Sequence, residues 1–265
     1  MKCAGIAQSV ERRTENPCVP GSIPGPGNSV TMKNTKIINK ENIILLFIPV
    51  ILTIYMRFGM ANQFSFYFHS FFKHSSALPF FRVFYEYIFV FVAQAIIPIL
   101  LIVFIFKESP SNYGLQIGNS KKGFSIVFML LIPIGIILLL TALIHDSKPP
   151  LFHSVYPAIP EVKYSLPLFF LNVFFLILYY AGFEIFYRGF ILFGLKNKFG
   201  AIPAILIQTI PSVLIHIHKP DGEIFGALVA EVFFGYLALK TKSIYYGFFI
   251  HLFIGIGIEL ATILF

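Results

Sequence analysis

The chain has 265 residues, of which 57% are hydrophobic and only 12% charged, with 33 Phe, no Trp and a formal charge of +8. A soluble domain of this size must present a polar surface, so this excess excludes a single water-soluble core. Repeated apolar runs near bilayer-crossing length point instead to an all-α polytopic transmembrane helix bundle. The positive charge then reads as Lys and Arg in cytoplasmic loops, with the lipid bilayer as partner and no nucleic acid.

Residues 1–31 stand apart. They are rich in Gly, Pro and Ser, lack the apolar core of a signal peptide, and hold both cysteines, Cys3 and Cys18. The words Ala7-Gln8-Ser9-Val10-Glu11-Arg12 and Gly21-Ser22-Ile23-Pro24-Gly25 resemble the D-arm and T-arm of a transfer-RNA gene read as protein. The expectation is a non-native, disordered leader, with translation starting at Met32. Mass spectrometry of the natural N-terminus tests this, and a peptide from residues 11–30 would overturn it. The remaining chain has no cysteine, hence no disulfide framework and no thiolate site.

From Met32 the apolar runs follow in order: Ile43–Met56, Val83–Phe106, Phe124–Ile144, Leu166–Phe183, Ala201–Ile217, Ile224–Leu239 and Ile244–Phe265. That predicts about seven membrane helices. The aromatic connection Arg57–Arg82 is too broken by polar residues to span and is read as interfacial, with an eighth element as the alternative. The Pro-rich stretch His145–Lys163 reads as a loop, dividing N-terminal helices (32–163) from a C-terminal set (164–265). With the Met32 end cytoplasmic, eleven basic residues fall inside: Lys33, Lys36, Lys40, Lys107, Lys121, Lys122, Arg188, Lys196, Lys198, Lys240 and Lys242. Six fall outside, which favours this orientation for a multi-pass protein of a bacterial cytoplasmic membrane.

Ionisable groups inside apolar runs are costly and mark function. Glu184 and Arg188 lie four apart and can pair on one helix face. The blander reading is a helix-end ion pair at the cytoplasmic interface, with Arg188 snorkelling. Downstream, His216 and His218 are two apart, so they point to nearly opposite sides of a helix. Glu223, Ala227, Glu231 and Gly235 form a stripe at four-residue steps, and His251, Gly255 and Glu259 repeat the spacing on the last run. Small residues between the polar ones suit a bundle-facing surface. A lone buried carboxyl tends to protonate and a lone helical His is usually structural, but three such helices converging suggest a shared site.

These segments resemble the CPBP family of intramembrane proteases, which includes type II CAAX prenyl endopeptidases and bacteriocin-immunity relatives. The family pattern is Glu-Glu-x-x-x-Arg, then Phe-x-x-x-His, then His-x-x-x-Asn or Asp, on successive helices. Glu184 and Arg188 match the second Glu and the Arg of the first motif, His216 the second motif, and His251 the third. The stretches Phe225-Gly226-Ala227 and Gly235–Ile244 are similar to the family's linking helix. The likeness runs from about Leu166 to Glu259. Three positions depart: Phe183 replaces the first Glu, usually taken as the catalytic base, Ser212 the Phe, and Gly255 the Asn or Asp.

The resemblance implies an endopeptidase that cleaves a membrane-bound peptide or protein with a Glu- and His-activated water. Glu184, Arg188, His216 and His251 are its expected catalytic residues. His216 and His251 are the candidate ligands of a divalent metal such as zinc, with Glu231 and Glu259 as secondary candidates. Glu231 could supply the missing carboxylate. The alternative is a non-catalytic relative that binds a peptide or partner in the same cavity, for immunity or sorting, and a proton-coupled transporter is a more distant third.

Overall fold

The structure is a computed structural model that describes residues 39–72, 75, 77–143, 155–217 and 219–264. The leader, His218 and most of the Pro-rich connection lie outside these residues.

Every regular element among the described residues is helical. Helix α1, Lys40–Ile54, starts at Asn39, whose side chain accepts from the Asn42 amide at 2.8 Å. It runs on through a widened π turn, Tyr55–Gly59. Helix α2, Ala61–Phe72, is the aromatic connection. Its 12 residues are too few to cross, while Phe66 and Phe71 are 72% and 80% exposed. Helix α3, Leu78–Phe91, continues through two π turns to Ile105. Helix α4 spans Ser120–Leu143, and Asn119 caps it by accepting from the Lys122 amide at 3.1 Å.

Helix α5, Leu166–Glu184, starts with Ser165 as N-cap and Pro167 in its first turn, a favoured pairing. It does not stop at the charged motif. A nine-residue π-helical stretch, Ile185–Phe193, and a short helix, Gly194–Phe199, extend it to 34 continuous residues. Helix α6 is Ala201–Leu214, α7 is Asp221–Thr241 and α8 is Tyr245–Leu264.

Six helices are long and apolar enough to span: α1, α3, α4, α5, α7 and α8, with their extensions. The sequence count of seven therefore resolves into six spans and one shorter apolar helix. Helix α6 ends at Leu214, and its 14 residues reach about 21 Å, short of the roughly 30 Å hydrocarbon layer. Apolarity alone could not reveal that, because Ile215 and Ile217 are apolar yet lie in a turn.

Contacts fix which loops share an end. At one end Lys40 pairs with Glu108 at 2.9 Å, the Asn119 amide donates to Thr241 O at 2.7 Å, and Tyr246 Oη donates to Ile117 O at 2.9 Å. Lys40, Lys107, Lys121, Lys122, Lys196, Lys198, Lys240 and Lys242 gather there. At the other end Glu86 accepts from Tyr55 Oη and from the Ala61 amide, while the Ala158 amide donates to Glu259. Arg57, Arg82, Lys163 and Lys219 belong to that end.

Arg188 belongs to neither. It is fully buried, so it is not a snorkelling side chain and drops out of the loop count. Backbones meet closely at the centre: a Cβ at Gly182 would lie 2.9 Å from Val90 O, so α5 can rest on α3 only with glycine at that position.

Candidate active site

Four of the sequence-selected side chains meet where α5, α7 and α8 cross. Glu184 is the last residue of α5 and Arg188 lies one turn on; both are fully buried. Glu184 Oε1 accepts from His251 Nδ1 at 2.9 Å, while its Oε2 faces Arg188 Nε at 3.4 Å. Arg188 Nη2 donates to Glu231 Oε2. The guanidinium also lies 5.2 Å from the Phe183 ring centre and 5.4 Å from that of Phe234. Two carboxylates and two rings thus surround one permanent cation, the arrangement an apolar interior demands of a buried charge.

Neighbouring helices hold this network in register. Gly247 brings α8 against α5, since a Cβ there would stand 3.2 Å from Glu184 Oε2. Gln208 of α6 donates to Glu231 O at 3.0 Å and to Thr209 Oγ1 at 2.9 Å. The sequence reading passed over Gln208, although an amide inside the apolar run 201–217 was itself a signal.

His216 approaches from the other side of Phe183. It sits just past the end of α6, where Nδ1 meets Ser212 O at 2.7 Å. A carbonyl only accepts, so Nδ1 carries the proton and Nε2 is the free acceptor. The same logic applies to His251, whose Nδ1 faces a carboxylate. Burial holds His216 below the usual imidazole value, opposed by the Glu231 charge. The Phe183 ring stands 6.1 Å from the His216 ring and 5.1 Å from that of His251. The aromatic at the departed motif position therefore forms the wall between the two imidazoles.

A cavity of about 380 Å³ opens in front of these groups. Phe183, His216, Glu231 and His251 line its inner part, with Tyr179 and Tyr180 beside them. Ile134, Ile137, Leu138, Ile254 and Ile258 make one side apolar. Tyr156, Lys219 and Glu223 form its polar rim, where Tyr156 Oη donates to Glu223 at 3.1 Å and accepts from Lys219 Nζ at 2.8 Å. Burial pushes the Tyr156 hydroxyl well above the usual phenol value, so it stays a donor. Glu184 and Arg188 lie behind the cavity wall, not on it. Glu259 is away from the inner end, accepting from the Ala158 amide at 3.2 Å and so tethering the connection before α5.

The residues do not fit a metal as they stand. Among the described residues no three His, Cys, Asp or Glu side chains converge to hold an ion. Glu184 is committed to His251 and Arg188, Glu231 to Arg188, and His216 Nδ1 to Ser212. An open metal site needs three protein ligands aimed at one point.

Gly255, in place of Asn or Asp, has a steric reason. A Cβ there would come within 2.3 Å of Tyr180 Oη. Tyr180 fills the space instead, its ring centre 4.4 Å from that of His251.

Comparison with known proteins gives the same grouping. Residues 164–256 match the family model described as Type II CAAX prenyl endopeptidase Rce1-like. No curated protein and no solved structure matches the chain. The matched segment holds all of α5, α6 and α7 and reaches past His251 on α8, so it contains the network and the cavity walls that those helices supply. Through these helices the chain is similar to the Rce1-like, CAAX-type family of prenyl endopeptidases.

Proposed function

We propose that the protein is an intramembrane endopeptidase that cleaves a membrane-associated peptide or protein with a water activated by its buried imidazoles. The observation that carries this reading is the Glu184–His251 pair at the inner end of the cavity. Peptide hydrolysis needs a base for water, donors for the developing oxyanion and a proton for the leaving amine. Glu184, behind the wall, fixes the Nδ1–H tautomer and ring orientation of His251, as the carboxylate of a catalytic triad does. It is a positioning residue. His251 Nε2 can then accept from the attacking water, orienting and polarising it. His216 offers a second Nε2 across Phe183.

The cavity is secluded enough to strengthen such interactions and roomy enough for a short apolar segment. Since the donor set is committed to protein partners, the reading routes no step through a metal. Cleavage of a membrane-inserted quenched peptide by the purified full chain should survive chelation. Activity lost to a chelator and restored by zinc would return the metal to the site. The same assay tests the function. His216→Ala is expected to lower kcat at least tenfold at unchanged membrane yield. Phe183 favours the second reading, a non-catalytic binder, which predicts instead no cleavage and partner capture that survives His216→Ala.

Orientation follows from charge. Among the described residues, eight lysines at one end against four basic residues at the other favour the lysine-rich end as the cytoplasmic one. The rim residues Lys219 and Glu223 lie at the opposite end, so the cavity faces away from the cytoplasm. Residues 32–265 lack cysteine, so single cysteines report cleanly once Cys3 and Cys18 are replaced by Ser. Lys219→Cys should react with an impermeant maleimide on intact cells, and Lys240→Cys only after lysis. The reverse pattern would invert the orientation.

A further inference from the structure

Resting on the endopeptidase reading, we propose that the two polar groups absent from the motif are supplied by other positions of the same cavity. Glu231 takes the proton of the attacking water, and the Tyr180 hydroxyl faces the carbonyl oxygen.

Glu231 and Phe183 flank the same guanidinium. Arg188 donates to Glu231 on one side and lies 5.2 Å from the Phe183 ring on the other. A carboxylate at position 183 would reach the same cation from α5 that Glu231 reaches from α7. Both residues line the cavity, whereas Glu184 does not. Glu231 is thus the carboxylate at the inner end with access to a water there; Glu223, the other on the wall, is engaged at the rim with Tyr156. Arg188 contacts Glu231 through Oε2, which leaves Oε1 for the water. Gln208 fixes the α7 backbone at this residue.

The second exchange has the same form. Tyr180 Oη lies within 2.3 Å of where a Cβ at Gly255 would stand, so the hydroxyl takes up the room that a longer side chain from α8 needs. Tyr180 also lines the cavity and packs on His251. A phenol there is a hydrogen-bond donor of the kind an oxyanion requires.

The step balances without a further reactant. Water gives a proton to Glu231 and its oxygen attacks the carbonyl carbon, with Tyr180 donating to the oxyanion. The C–N bond then breaks, and the proton passes from Glu231 to the leaving amine. One water is consumed, and an acid and an amine are formed.

The test uses the full chain in liposomes and a quenched peptide with an apolar, membrane-inserting segment. Glu231→Gln is expected to lower kcat about 10²-fold or more with KM within about threefold. Adding Phe183→Glu to that variant should recover at least tenfold, because it restores two carboxylates around one guanidinium. Glu231→Asp keeps the ion pair but withdraws the carboxylate by one methylene, and should lose about tenfold while staying folded. Tyr180→Phe keeps the ring on His251 and should lower kcat on the order of 10²-fold. Cleavage by Glu231→Gln or Glu231→Asp at the wild-type rate overturns the role of Glu231. Loss without recovery in the double variant does the same, leaving Glu231 as an anchor for Arg188. An unchanged Tyr180→Phe overturns the hydroxyl. A wild type that cleaves no peptide overturns the endopeptidase reading and this inference with it.

Discussion

Arg188→Leu should lower the unfolding free energy by about 3–5 kcal/mol, the largest stability effect expected of any single change in the protein. The residue is wholly buried, with Glu184 and Glu231 as charge partners and the faces of Phe183 and Phe234 beside it. Removing the cation leaves two carboxylates facing each other across an apolar pocket with no counter-charge. Leucine packs well enough, so the loss is electrostatic and not a matter of volume. That distinction can be measured. The triple variant Glu184→Gln, Arg188→Leu, Glu231→Gln removes the whole network and should regain more than half of the loss in thermal or detergent-induced unfolding. Equal instability of the single and triple variants would mean that packing, not charge, holds this crossing together.

His251→Asn should abolish peptide cleavage by about 10³-fold while costing less than about 1.5 kcal/mol of stability. Asparagine can place its amide near the position of Nδ1, so Glu184 keeps a donor and the α5–α8 contact persists. What disappears is the basic nitrogen facing the cavity. A structural histidine would show the opposite profile, with stability lost and turnover of the surviving molecules retained. The two outcomes separate once kcat is normalised to folded protein. Glu184→Gln tests the same pair from behind the wall. It should reduce kcat less than His251→Asn does, since an amide oxygen still accepts from Nδ1 and keeps the ring in place.

The helices were legible because membrane spans announce themselves by length and apolarity, and the acid–base spacing of Glu184 and Arg188 marked the centre of the site before any contact was known. The family motifs then named His216 and His251, and the small-residue stripe on α7 did face inward, with Ala227, Glu231 and Gly235 all buried. Other features depend on tertiary register and left little local trace. The apolar Ile215 and Ile217 give no sign that α6 stops before them. The extension of α5 through a π-helical stretch carries Arg188 into the core, whereas the count of basic loop residues had put it among the cytoplasmic loops. Glu184 matches a catalytic motif position, yet only packing against His251 and Gly247 reveals that it stands behind the cavity. The departures at Phe183 and Gly255 read as losses in one dimension. In three dimensions Glu231 and Tyr180 occupy the neighbouring space.

Helix α4 gives the cavity an unusual boundary. It supplies Ile134, Ile137, Leu138 and Thr141 to the cavity wall, yet it buries only 11% of its apolar stretch, against 22–33% for the other spans. Its main packing partner is α8, and Pro133 inside it removes one backbone hydrogen bond just below the wall residues. Phe128, Met129, Ile132, Ile136 and Leu140 on its outer surface are exposed to lipid. Between the acyl chains and the inner imidazoles there is thus a partition one helix thick, held mainly along one edge. On the endopeptidase reading proposed above, a peptide already dissolved in the bilayer would have no water layer to cross on its way in, only α4 to displace.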